Sequence, residues 1–151
     1  MKLPLSICLM LTLALGAAVL SGGCKKSASV NAQLTGNWRL ILYTQGFTGR
    51  VLYPHTDSVV VLSMDGVNYN RWLNGTVYET GTYKISNVKS IYNQQSSSPA
   101  VVFSVTSFPM PQIIDLRHDT LDLSMNAYDG NSYEYVRITQ GGPLTVPPAS
   151  F

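Results

Sequence analysis

Cysteine is almost missing from this chain: among 151 residues there are two, Cys8 and Cys24. Cys8 lies inside an apolar N-terminal stretch, so loss of that stretch leaves Cys24 alone and excludes an intrachain disulfide. Histidine is as scarce. His55 sits beside Pro54 in a polar connection, His118 sits in a turn, and neither has a His or Cys partner at metal-ligand spacing. No metal site is expected. Charged residues make up 12% of the chain and sum to +2, which supplies no basic face for nucleic acid. Strong helix formers are thin after residue 34, where Glu occurs twice and Ala three times. The chain also lacks a Gly-x-Ser-x-Gly elbow and a Gly-rich phosphate loop. Asp115, His118 and Asp119 lie close in sequence, but Asp and His are ordinary turn residues. The chain is therefore expected not to be an enzyme, and no cofactor is implied.

What is present is β chemistry. Nine tyrosines and many Val, Thr and Ser residues favour strands. Short runs at 38–44, 58–64, 67–73, 76–86, 100–106, 112–116, 120–126 and 132–139 alternate apolar and polar positions between turn signals. Asp65-Gly66 and Asn74-Gly75 each separate two such runs, and both pairs tolerate the positive φ of a tight hairpin. Three strands joined by these turns form a meander. Arg117-His118-Asp119 and Asp129-Gly130 mark further reversals, and Pro109 and Pro111 exclude a central strand between 108 and 111. About eight strands at hairpin spacing predict an all-β fold, a small antiparallel up-and-down barrel. Segments 45–57 and 90–99 read as loops, and 140–151, with three prolines after Gly141, as a disordered tail.

The N-terminus has its own pattern. Lys2 precedes an apolar run over 3–20, then come Ser21-Gly22-Gly23-Cys24 and Lys25-Lys26. This arrangement resembles a bacterial lipoprotein signal peptide, in which small residues precede the Cys that is acylated after cleavage. The resemblance implies a signal over 1–23, a lipidated Cys24 with a polar tether over 24–33, and a domain over 34–139. The protein would be held in the cell envelope by its N-terminal lipid, and the lack of Asp after Cys24 favours the outer membrane. Two other readings stay open: an uncleaved span of eighteen apolar residues, and cleavage after a small residue such as Ala18, releasing a soluble protein.

Gly36-Asn37-Trp38 opens the first strand and Arg137 lies in the last. Together with Gly81-Thr82-Tyr83-Lys84-Ile85 and Asp119-Thr120-Leu121-Asp122-Leu123, these residues are similar to the lipocalin family. The resemblance covers about 34–139 and implies that Trp38 and Arg137 pack together at a closed barrel end, a structural role.

Period two groups Tyr133, Tyr135 and Arg137 on one face of the last strand, and Tyr69, Arg71 and Leu73 on one face of the third. If those faces point inward, arginine among tyrosines suits an anionic or aromatic small molecule, with Tyr69, Arg71, Tyr133 and Tyr135 as candidate ligand contacts. Alternatively the tyrosines fill the core and bond to one another. Two functions follow: a lipid-anchored barrel binding a small hydrophobic or amphipathic molecule, or an interaction module whose loops at 45–57 and 90–99 contact an envelope protein or polysaccharide. A cavity of a few hundred cubic ångströms separates them.

Overall fold

The turn residues do what their chemistry allows. Asn74 and Gly75 both take positive φ, 50° and 82°, the conformation a two-residue hairpin needs. A computed structural model describes residues 29–91, 94, 96–105 and 109–139. The apolar leader, Cys24 and the 140–151 tail lie outside the described residues.

After a short helix α1 (Val30–Leu34), nine strands follow: β1 (Gly36–Gln45), β2 (Arg50–Leu52), β3 (Val60–Met64), β4 (Asn68–Leu73), β5 (Thr76–Lys89), β6 (Ser97–Phe103), β7 (Gln112–Arg117), β8 (Thr120–Met125) and β9 (Ser132–Ile138). From β3 to β9 each strand pairs antiparallel with the next, β3 also pairs with β1, and β9 returns to β1, so eight strands close a barrel. The all-β up-and-down architecture is therefore the observed one. The ninth strand, β2, pairs only with the end of β1, at Tyr43–Gln45, inside the segment that sequence reasoning assigned to a long loop. A three-residue strand on one edge carries too little pattern to be read beforehand.

Strand boundaries also shift. β5 extends to Lys89, and β6 starts at Ser97, so Pro99 sits within a strand opposite Asn87. Proline is tolerated there because only Ala100 and Val101 of β6 pair with β7, leaving Pro99 unpaired on that side. The side chain of Asn126, after β8, ties down the end of β5: it accepts from the Ile91 N–H and donates to the Lys89 carbonyl.

Alternation fills the interior. Trp38, Leu62, Tyr69, Tyr83, Val101, Phe103, Leu121 and Leu123 point inward and are buried. The polar tether of the sequence reading ends in α1, which closes one end of this core. Ser29 caps the helix by accepting from the Ala32 N–H at 3.3 Å. A five-residue helix is not stable in water, and tertiary contacts hold this one. Asn31 donates to the Gly66 carbonyl and accepts from the Tyr83 hydroxyl, both at 2.8 Å, and Leu34 is fully buried.

The helix ends on two residues singled out by the sequence. The Trp38 indole N–H donates to the Leu34 carbonyl at 2.7 Å. Arg137 donates from Nη1 to the Thr35 carbonyl at 3.0 Å and from Nη2 to the Gln33 carbonyl. Its guanidinium carbon lies 4.0 Å from the Trp38 ring centre, within cation–π range. Gly36 must be glycine for this approach, since its φ is +135° and a Cβ there would meet Arg137 Nη1 at 2.9 Å.

Candidate functional site

Beyond the closed end the interior is not filled. A cavity of about 330 Å³ is lined by Leu40, Val60, Arg71, Tyr78, Phe103, Met110, Gln112, Met125, Tyr133 and Tyr135. It occupies the half of the barrel away from α1: Leu40 lies past Trp38 on β1, Val60 opposite Met64 on β3, and Tyr133 opposite Arg137 on β9. The volume is at the lower end of the range for small-molecule pockets.

Its chemistry comes from β4 and β5. Arg71 pairs across the strands with Glu79. Arg71 Nη1 lies 3.3 Å from Glu79 Oε1 and donates to Oε2 at 3.3 Å. The Tyr69 hydroxyl donates to Glu79 Oε1 at 2.6 Å. The guanidinium carbon of Arg71 stands 4.9 Å from the Phe103 ring centre and 5.6 Å from that of Tyr69. Glu79 thus fixes Arg71 from one side and two rings support it from below. The grip is incomplete, because Arg71 Nε is buried with no partner among the described residues. An unmet buried donor costs about 1–3 kcal/mol, so Arg71 has hydrogen-bonding capacity the protein does not use.

A bulge adds Tyr78 to the same wall. The β4–β5 register passes from Glu79 opposite Arg71 to Val77 opposite Trp72, which leaves Tyr78 as the extra residue. Gln112, the first residue of β7, is 8% exposed and adds a side-chain amide to the wall. Burial raises the Tyr135 phenol well above its usual range, against a smaller lowering by the nearby Arg71 charge. Burial also raises Tyr78. For Tyr69, burial first and then the hydrogen bond to Glu79 push the phenol up to about 12. All three phenols stay protonated at neutral pH and serve as neutral hydrogen-bonding groups.

The structure brings the four candidate contacts into one interior. Arg71, Tyr133 and Tyr135 line the cavity, and Tyr69 is buried beneath Arg71. Arg137 shares their inward parity but belongs to the closed end, so the cavity wall contains one arginine, not two. Leu73, grouped with Arg71 by parity, is 43% exposed where β4 runs out. Glu79, Tyr78, Gln112, Met110 and Met125 were not singled out from the sequence. Parity alone points Glu79 inward, two steps beyond Gly81 from the buried Tyr83.

The histidines and the Asp115–Asp122 segment lie away from this cavity. His55 Nδ1 lies 2.6 Å from Asp57 at the surface. His118 takes φ +54° in the β7–β8 turn. Asp115 and Asp122 flank Arg117 at 3.2 and 3.0 Å. Among the described residues no three His, Cys, Asp or Glu side chains gather at metal-binding distance. Compared with protein-family models, curated proteins and solved structures, the chain has no match.

Proposed function

We propose that this protein is a lipid-anchored, lipocalin-like carrier of the bacterial envelope that binds one small amphipathic molecule inside its barrel. The observation that supports the reading is the cavity, whose wall combines aliphatic and aromatic surface with an incompletely satisfied Arg71 and the Gln112 amide. Apolar surface with a few converging polar groups is the usual composition of a ligand pocket. The anchor fits the geometry. Cys24 is five residues from the Ser29 cap, a reach of at most about 18 Å. The closed end would then sit near the lipid surface, with the cavity in the distal half of the barrel.

A panel of aliphatic and aromatic amphiphiles, each in charged and uncharged form, tests the binding. A ligand at a hundred times its Kd stabilises the fold by about 2.7 kcal/mol, roughly a 10 °C rise in melting temperature. Val60→Trp should fill the cavity and abolish that rise. If no member of the panel shifts the melting temperature, the carrier reading falls. The second reading, a module whose loops contact an envelope protein, then stands. It draws on Phe47 and Tyr128, 85% and 74% exposed, on loops joined by the Gly46 N–H donating to the Asn131 side chain.

The anchor carries its own expectation. Cys24→Ala should move the protein from the detergent phase to the aqueous phase on phase partitioning of cell extracts. Retention in the detergent phase would instead support an uncleaved N-terminal span.

A further inference from the structure

We propose that Glu79 sets the ligand selectivity of this cavity: paired with Arg71, it makes the site electroneutral, so the site takes uncharged ring compounds with a hydrogen-bond acceptor and rejects their anionic forms. The inference rests on the carrier reading and adds the ligand's charge class to it.

Arginine in a cavity wall ordinarily invites a carboxylate. Here the invitation is already answered. Arg71 Nη1 lies 3.3 Å from Glu79, whose other hydrogen bond, from the Tyr69 hydroxyl at 2.6 Å, holds it in place. Glu79 stands behind Arg71 rather than in the lining, and every lining residue other than Arg71 is apolar or neutral. Tyr135, buried at the cavity wall, lies in the field of both Arg71 and Glu79. Their charges cancel. An anion entering this site would leave its water, find Arg71 already neutralised by Glu79, and leave the site with a net negative charge. That charge would have no counter-ion in a low-dielectric interior. An uncharged molecule meets no such cost. The aromatic wall of Tyr78, Phe103, Tyr133 and Tyr135 favours a ring, and the Gln112 amide and the Arg71 guanidinium supply donors for a carbonyl.

Naphthalene-2-carboxylate and its methyl ester share a skeleton and a carbonyl but differ by one charge. Isothermal titration calorimetry of both against the full chain reads the preference directly. The ester is expected to bind at least tenfold more tightly than the acid. Glu79→Gln keeps the shape and removes the negative charge. It should raise affinity for the carboxylate at least tenfold and leave the ester within about threefold. Arg71→Met, which leaves Glu79 unpaired, should abolish carboxylate binding. Circular dichroism reports whether each variant folds, and the wild-type comparison needs no variant. Equal or tighter binding of the acid by wild type, or a preference unchanged by folded Glu79→Gln, overturns the proposal while the carrier reading survives. Binding of neither probe, together with no thermal shift in the wider panel, overturns both.

Discussion

Replacing Trp38 with Ala is expected to lower the melting temperature by roughly 15 °C. The indole is fully buried, and truncating a buried Trp costs about 3–5 kcal/mol. The loss spreads, because Trp38 does three things at once. It fills the core, its N–H takes the last carbonyl of α1, and its face carries the Arg137 guanidinium 4.0 Å away. Without the ring, Arg137 loses its platform and α1 loses one of the donors that end it. Arg137→Lys separates these contributions. Lysine keeps the charge but not the planar fork that stacks on Trp38 and reaches both Thr35 and Gln33. That variant is expected to cost about 1–2 kcal/mol, near the upper value for a desolvated cation–π contact. Thermal melts by circular dichroism check both. A Trp38→Ala protein melting within a few degrees of wild type would mean that α1 and the barrel end are held by other contacts.

Alkaline pH is expected to unfold the barrel in one steep step beginning near pH 10. The buried phenols Tyr69, Tyr83 and Tyr135 all have raised proton affinity, Tyr69 up to about 12. In the unfolded chain each ionises near pH 10. Above that pH the unfolded state has fewer bound protons than the native state, so stability falls as pH rises. Below it the stabilisation is complete. Each retained phenol removes about 1.4 kcal/mol per pH unit, so Tyr69 and Tyr135 together lose about 3 kcal/mol per unit, with Tyr83 acting in the same direction. Over two pH units that is comparable with the lower part of the range of about 5–15 kcal/mol that a domain has. Absorbance at 295 nm and far-ultraviolet circular dichroism, followed together from pH 8 to 13, should change in a shared cooperative step. Tyr135→Phe removes one of these phenols and should move the midpoint to higher pH. Ionisation of all nine tyrosines near pH 10 with the strand signal intact would contradict the account.

The parts of this fold that could be read from sequence are those fixed by local chemistry. Asp65-Gly66 and Asn74-Gly75 require reversals wherever they occur, and alternation then assigns each neighbouring residue to a face. Those two rules group Tyr69 with Arg71 and Tyr133 with Tyr135 on common strand faces, without deciding which way the faces point. Glu79 escaped notice because it sits among Tyr78 and Thr80, where a charged residue reads as an exposed position. A bulge that brings Tyr78 to the cavity wall while Glu79 stays paired with Arg71 is a property of two strands together. Val30–Leu34 is too short to show a helical period, and it forms because Trp38 and Arg137 donate to its carbonyls and its own Asn31 bonds Gly66 and Tyr83. The openness of the interior was undecidable from the same residues, since tyrosines that fill a core and tyrosines that line a cavity share one pattern.

The seam between the first and last strands also governs when this molecule can exist. Asn37 faces Ile138 across it, and the Arg137–Thr35 hydrogen bond joins positions 102 residues apart. Contacts of such separation form late, after most of the loop-closure entropy has been lost. A chain synthesised or translocated from its N-terminus therefore emerges with β1 already made and one of its edges bare, waiting for β9. Until the final strand arrives the barrel is an open sheet, with an edge that can pair with a neighbouring chain. Assembly is gated by the arrival of residues 132–138, and the interval before it is when the chain most needs a chaperone.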